Sequence, residues 1–185
     1  LGTETAFEVL AKARALEAQG RSIVHLEIGE PDFDTPPSIV AAGVAALERG
    51  ETHYTPSAGV IELREAIAQH LRRRRGLEVD PAQVIVTPGA KPIMFYALLS
   101  LLEEGDEAIY PDPGFPIYSS MIDFAGARGV PLRLREENEF ELDLDELRSL
   151  VTPRTKVLIL NSPHNPTGGV LSPAAVSEIA RIARE

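Results

Sequence analysis

The second half of the chain alternates short β-branched segments with helical segments, and this pattern limits the fold more than any other feature. Four short apolar runs are predicted to be strands, at about Val84–Val86, Glu107–Tyr110, Pro131–Leu134 and Lys156–Leu160. Helices are predicted between and after them, at about 90–102, 116–124, 143–151 and 173–184. Strands that alternate with helices favour an α/β fold with a mostly parallel sheet flanked by helices.

The residues before this region are mainly helical. A helix is predicted over residues 4–19, where Gly20 ends it, and two more over 36–49 and 60–74. One short strand is predicted at Ile23–Ile28. We therefore expect an N-terminal helical segment ahead of the sheet, with residues 1–50 and 51–185 in different domains.

Charge and composition exclude several kinds of partner. The formal net charge is −10, and the one dense basic run, Arg72–Arg75, lies at the end of a predicted helix, so we expect no nucleic-acid partner. The chain contains no cysteine, which excludes disulfides and thiolate catalysis. No apolar run approaches the roughly 18 residues of a membrane span. These features predict a cytoplasmic protein without a membrane partner, and no metal site is indicated.

The end of the chain has no helix-stop signal. The last predicted helix runs to Arg184 and Glu185 without a glycine, asparagine or proline. A parallel sheet of about four strands would also keep an uncovered edge and uncovered apolar faces. We therefore expect the chain to oligomerise or to be part of a longer one.

Three loops that follow predicted strands are candidates for a ligand site, because ligands of open α/β sheets bind outside the carboxyl ends of strands. The first is Thr87-Pro88-Gly89-Ala90-Lys91, which opens a helix. The backbone N–H groups and the positive dipole end of a helix start favour a phosphate, and Gly89 gives the backbone room to approach it. From these five residues alone, a simple strand-to-helix turn is the preferred interpretation.

The second loop, Pro111-Asp112-Pro113-Gly114-Phe115-Pro116, is rich in proline. Proline restricts the backbone to an extended path, which would bring the ring of Phe115 to the same edge of the sheet. An aromatic ring there can stack on a planar heterocycle, although an aromatic residue that covers the sheet is the more common finding.

The third loop, Asn161-Ser162-Pro163-His164-Asn165-Pro166-Thr167-Gly168-Gly169, predicts a rigid polar turn after a buried strand. The Asn165 side chain is a candidate donor to a ligand oxygen. A purely structural role, in which the asparagine ties the turn together, is the alternative for Asn161.

Residues 161–168 are similar to the signature turn of the class I/II aminotransferases of the aspartate aminotransferase type, which are fold type I pyridoxal-phosphate enzymes. Four other segments resemble blocks of this family and occur in the family's order: Gly29–Phe33, Tyr54–Gly59 followed by Glu62-Leu63-Arg64, Gly89–Lys91 and Pro113–Tyr118. The resemblance covers essentially the whole chain. It implies a pyridoxal-phosphate-dependent transferase fold, with residues 1–50 as the N-terminal arm and part of the small domain and 51–185 as the first part of the large domain.

The resemblance also implies an activity. Enzymes of this family move an amino group between an amino acid and a 2-oxo acid with pyridoxal 5'-phosphate as cofactor, in amino acid metabolism, and a homodimer is the expected assembly. Gly89, Ala90 and Lys91 would hold the cofactor phosphate, through the backbone N–H groups of the latter two. Phe115 would stack on the cofactor ring, and Asn165 would donate to its phenolic oxygen.

Two further contacts are implied. Tyr54 would reach the cofactor phosphate of the neighbouring subunit, and the backbone of Gly29 would meet the substrate carboxylate. The family often has two cis proline bonds in its site, and the matching bonds here, Asp112–Pro113 and Asn165–Pro166, are predicted to be cis. His164 replaces the family's usual asparagine, and we interpret it as an exposed turn residue without a role in proton transfer.

No residue of the chain is assigned as catalytic. In the family, the lysine that forms a Schiff base with the cofactor lies beyond the Asn-Pro-Thr-Gly turn, and the lysines of this chain are Lys12, Lys91 and Lys156. None of them is expected to take that role. We therefore expect the parent protein to be an enzyme and this part of it alone to be inactive.

Other functions fit the same residues. A carbon–sulfur lyase, or another elimination enzyme that uses the same cofactor, is the alternative among enzymes. Outside enzymes, the loops fit a non-catalytic module that binds a phosphate-bearing ligand, or a structural half whose loops order only with the rest of the sheet.

Overall fold

The structure is a computed structural model, and it describes residues 5–185. These residues form two compact units. The helical unit comprises residues 9–92, and the sheet unit comprises residues 5–8 together with 93–185. The domain boundary expected near residue 50 concerns the whole protein and stays a prediction.

A parallel three-stranded sheet forms the centre of the sheet unit. Its strands are β1 (Glu107–Asp112), β2 (Arg128–Arg133) and β3 (Thr155–Leu158), in the order β2-β1-β3. Ile109 of β1 pairs with Val130 on one side and with Leu158 on the other, and both pairings are parallel. The α/β class and the parallel sheet predicted from the alternating pattern are thus confirmed.

Helices cover both faces of this sheet. Successive residues of a strand point in opposite directions, so both faces of the sheet carry side chains that a helix can bury. The helices are α4 (Lys91–Leu101), α5 (Ile117–Phe124), α6 (Leu144–Leu150) and α7 (Pro173–Ile182). Ile109 packs in a core with residues of α6 and α7, whereas its neighbour Ala108 packs with residues of α4 and α5. Ile109 and Ala108 are both fully buried, because the sheet to which β1 belongs is the middle layer of the unit.

Side-chain caps determine where two of these helices begin. Asp143 accepts hydrogen bonds from the first backbone N–H groups of α6, and Ser172 accepts one from Ala175 in α7. Because each helix start is held in this way, the loops before α6 and α7 have defined paths across the carboxyl ends of the strands.

Three further helices precede α4, and their bounds match the predicted ones to within two residues. They are α1 (Thr5–Glu17), α2 (Pro37–Glu48) and α3 (Ile61–Arg75), and a 3-10 turn follows at Pro81–Gln83. Residue 4, where the first helix was predicted to begin, lies outside the described residues. Within residues 5–185, no helix combines the length and the apolarity that a membrane span needs.

Two of the predicted strands are wrong. Ile23–Ile28 forms no strand, and Val24 and Leu26 are strongly exposed. Val84–Val86 is also not a strand. The amide of Val86 instead donates to the carbonyl of Ala58, and the carbonyl of Val84 accepts from the Arg64 guanidinium. A β-branched run predicts a strand only where a neighbour supplies the ladder.

Candidate functional site

Two of the three candidate loops leave the same edge of the sheet. The loop 111–116 follows β1, and the loop 161–169 follows β3, which is the parallel neighbour of β1. Parallel neighbours end at the same edge, so the two loops lie side by side, and Pro111 and Asn161 line one common cavity. The sequence predicted that each of these loops lies at the carboxyl end of a strand, and the structure confirms this for both.

The loop 111–116 follows a tight path with little free space. The Asp112–Pro113 bond is cis, as predicted. A Cβ at Gly114 would lie 2.1 Å from the carbonyl oxygen of Pro111, so only glycine fits there. The half-buried ring of Phe115 meets Tyr118 edge-on, with ring centroids 5.9 Å apart at an interplanar angle of 83°.

Internal hydrogen bonds close the loop 161–169. The Oδ1 atom of Asn161 accepts from the amide of Asn165 at 2.7 Å, which confirms the structural interpretation of Asn161. Backbone bonds of 2.7 Å join His164 to Gly169 and Gly168 to His164. The predicted cis bond at Asn165–Pro166 is confirmed, and Ser162–Pro163 is a third cis bond that the sequence did not indicate.

Asn165 differs from the rest of this loop because its side chain is exposed. Among the described residues, no group forms a hydrogen bond with its side-chain amide. Asn161 and His164 hold the turn, so the Asn165 amide is available to a ligand at the carboxyl edge of the sheet.

The interpretation of His164 as an exposed turn residue is wrong. His164 is only 8% exposed, and its Nδ1 atom lies 2.8 Å from Oγ1 of Thr167. Burial lowers the pKa of His164, because the charged imidazolium loses its hydration there. The backbone bonds of the turn draw this side chain inward, and a sequence pattern alone does not show on which side of a loop a residue faces.

The loop 87–91 belongs to the helical unit and opens α4, as predicted, although an extended segment rather than a strand precedes it. The hydroxyl of Thr87 donates to the carbonyl of Gly89 at 2.6 Å and closes the turn. Gly89 has a φ of +87°, and no atom lies within 4 Å of the position where its Cβ would be. The backbone is therefore open to an approaching anion at the positive end of the helix dipole.

The segment that leads into this loop is tied to the Tyr54–Gly59 block within the helical unit. The bond from Val86 to Ala58 measures 3.0 Å, and a Cβ at Gly59 would lie 2.8 Å from the Cβ of Val86. Ala58 and Val86 are 28 positions apart in the sequence, and their hydrogen bond joins the two segments in space.

Arg64 carries a structural role that the sequence did not reveal. Its guanidinium donates to the carbonyl of Pro81 at 2.7 and 3.0 Å and to that of Val84 at 2.9 Å. It therefore holds the segment 81–84, which leads to the loop 87–91. In the sequence, Arg64 was noted only as part of the Glu62-Leu63-Arg64 segment that resembles a family block.

The remaining candidates are surface residues of the helical unit. Tyr54 is fully exposed, and Gly29 lies in an exposed segment without regular structure. The lysines lie in α1, at the start of α4 and in β3. Across residues 5–185, no three metal-ligating side chains come together.

With this geometry in place, comparison with known sequences defines the class of protein. The sequence model of the family "aminotransferase class I and II" matches residues 21–185, and the chain belongs to this family. The family's cofactor is pyridoxal phosphate.

Individual relatives agree with this assignment. The chain is 41% identical over 177 residues to a probable aspartate/prephenate aminotransferase of Aquifex aeolicus, covering 96% of this chain and 45% of that protein. It is 43% identical over 170 residues to aromatic-amino-acid aminotransferase 2 of Thermococcus litoralis, covering 91% of this chain and 44% of that protein.

A solved structure supports the fold over the whole chain. The structure of an aspartate aminotransferase from Thermus thermophilus with maleate matches with a TM-score of 0.94 at 42% identity, covering 100% of this chain and 48% of that one. The chain thus spans about half the length of the relatives it matches.

Proposed function

We propose that the protein to which these residues belong transfers an amino group between an amino acid and a 2-oxo acid, with pyridoxal 5'-phosphate as cofactor. The observation that carries this proposal is the Asn165 side chain, whose exposed amide has no hydrogen-bond partner in residues 5–185 and lies beside a turn that is otherwise internally bonded. When bound, the cofactor supplies a ring that withdraws electrons from the amino acid.

The donor groups of the chain fit this cofactor. We assign Gly89, Ala90 and Lys91 to the cofactor phosphate, because the open backbone at Gly89 and the start of α4 together favour an anion. Phe115 stacks on the cofactor ring. Asn165 donates its side-chain N–H to the phenolic oxygen and stabilises negative charge there.

Two exposed residues complete the assignment. Tyr54 reaches the cofactor phosphate of a second subunit in a homodimer, which accounts for a tyrosine that is fully exposed on this chain. The backbone of Gly29 receives the substrate carboxylate. The named activities of the two relatives make aspartate and aromatic amino acids the first amino donors to assay, and the cytoplasm remains the expected compartment.

The proposal is tested by an absorbance titration of the protein with pyridoxal phosphate. We expect Asn165→Ala to weaken binding about 10- to 100-fold and to change the absorbance of the bound cofactor, since a hydrogen bond to a charged group is lost. Asn138→Ala, which alters an exposed asparagine of the same unit, is the matched control. Equal titrations for all three proteins would contradict the role of Asn165.

The phosphate contact has its own test. Ala90→Pro removes the backbone N–H of the residue that directly precedes α4, whereas Ala90→Ser keeps it. We expect only the proline variant to lose affinity for pyridoxal phosphate relative to pyridoxal. Borohydride reduction of the 185-residue chain should leave its mass unchanged, because we assign no covalent link to Lys12, Lys91 or Lys156. Transfer from aspartate to a 2-oxo acid by the full-length protein tests the activity.

A further inference from the structure

A cavity of about 260 Å³ lies within the sheet unit, between the carboxyl ends of the strands and the start of α7. Its apolar lining includes Leu132, Leu134, Phe140, Leu142, Ile159 and Leu171. An apolar protein cavity of about 150 Å³ is large enough for benzene. This cavity therefore has room for one ring with a small substituent.

Asn161 and His164 are two of the polar residues that line the cavity. Asn161 uses its Oδ1 atom to hold the amide of Asn165, so its amide nitrogen faces no hydrogen-bond partner among the described residues. The Nε2 atom of His164 is the buried side-chain nitrogen without a partner in residues 5–185. A buried polar group of this kind is unfavourable until a partner reaches it.

The state of His164 determines what that partner is. Burial lowers the pKa of His164 and so favours the neutral imidazole, and when its Nδ1–H donates to Oγ1 of Thr167, the Nε2 atom is an acceptor. Thr167 accepts a second bond from the amide of Gly169, which is consistent with this arrangement. A hydroxyl group matches the wall, because its oxygen accepts from an Asn161 N–H and its hydrogen is donated to a nitrogen such as Nε2.

The turn that bounds the cavity has an unusual backbone. Glu139 and Phe140 have φ angles of 54° and 58°, in the left-handed region that a phenylalanine rarely adopts. Backbone bonds to Glu136 and Arg135 hold this turn, and it places Phe140 in the cavity wall. The exposed carboxylates of Glu139 and Glu141 lie at the same cavity and disfavour an anionic ligand.

We propose that this cavity is a binding site for an uncharged molecule with one ring, or a branched chain of similar size, that carries a single hydroxyl group. His164 lines the cavity, but its Nε2 atom is shielded from water in the structure, so a ligand hydroxyl reaches this atom only if the imidazole ring shifts. The site uses neither Phe115 nor Asn165, so it does not depend on the cofactor assignment.

The test compares two probes of one shape, 4-methylphenol and toluene, by calorimetric titration of the full chain. A wall without a usable polar group favours toluene, because the phenol must give up its hydration. We expect 4-methylphenol to bind about five- to tenfold more tightly, and His164→Leu to reverse this order. A preference for toluene in the unaltered chain, or no binding of 4-methylphenol at millimolar concentration, would overturn the proposal.

A second pair of variants locates the site and protects the test against misfolding. Ala175 lines the cavity, whereas Val176, the next residue of α7, does not. Ala175→Leu should abolish 4-methylphenol binding by filling the space, and Val176→Leu should leave it unchanged. Binding that survives Ala175→Leu would show that the probe sits elsewhere and would refute the assignment.

Discussion

Gly59 lies directly against Val86 in the helical unit, so closely that a Cβ on Gly59 would come within 2.8 Å of the Cβ of Val86. Gly59 also has a φ of +96°, which side chains other than that of glycine rarely accept. These two constraints join the Tyr54–Gly59 block to the segment that leads into the loop 87–91. The position of that loop therefore depends on a glycine that contacts no proposed ligand.

The first prediction concerns this contact. Gly59→Ala should lower the free energy of unfolding by about 1–3 kcal/mol, because the backbone is strained and Val86 must move. Chemical denaturation measures the change, and the affinity for pyridoxal phosphate should fall with it. Gly43→Ala, inside α2 and with open space around its Cβ, is the control and should stabilise the protein by about 0.5–1 kcal/mol.

A second prediction follows from the Arg64 guanidinium, which donates hydrogen bonds to the carbonyls of Pro81 and Val84. Arg64→Met should cost about 1.5–3 kcal/mol, because hydrogen bonds from a charged group are lost and two carbonyls are left without their donor. Arg73→Met changes an exposed arginine of the same helix and should stay within about 0.5 kcal/mol of the unaltered protein. Equal effects of the two substitutions would contradict the role of Arg64.

The third prediction is a dependence of stability on pH from Glu107, which is 1% exposed at the start of β1. Hydrogen bonds from Thr152 and Arg154 hold the pKa of Glu107 below its usual range, although burial opposes this. The unfolded chain then binds the proton more readily than the folded one. The stabilisation is present above the unfolded pKa of about 4.3 and is lost as the pH falls through the lower folded value.

Glu107→Gln should therefore lower the Tm by several degrees at pH 7 and reduce the loss of stability on the acid side. Thermal unfolding between pH 7 and 3 measures both effects. Glu104→Gln, at an exposed position three residues earlier, should change neither. A curve for Glu107→Gln that runs parallel to that of the unaltered protein would exclude the proposed linkage.

The fourth prediction uses the buried His164, whose pKa is lowered by burial. The unfolded chain takes up a proton near pH 6.5, where the folded chain resists it, so stability falls as the pH decreases from about 6.5. His164→Asn, which restores the residue usual in the family, removes this contribution. The difference in Tm between the two proteins should change between pH 7 and 5, and a constant difference would show that His164 is not buried in a neutral form.

Local patterns of the sequence were sufficient for much of this structure. The alternation after residue 83 predicted the parallel sheet and its helices, because burial on both faces of a strand leaves a continuous apolar run. The loops 111–116 and 161–169 were correctly predicted to follow the carboxyl ends of strands for the same reason. The cis bonds at Asp112–Pro113 and Asn165–Pro166 were correctly predicted from a resemblance to a family.

Only the tertiary structure decided which groups would meet. Val84–Val86 has the composition of a strand but is paired by Ala58 and Arg64, which are distant in sequence. His164 looked like a surface residue, yet backbone bonds across the turn bury it. The periodicity of a sequence indicates which residues avoid water. Hydrogen-bond partners and cavities depend instead on which distant segments meet in three dimensions, and local sequence patterns do not show this.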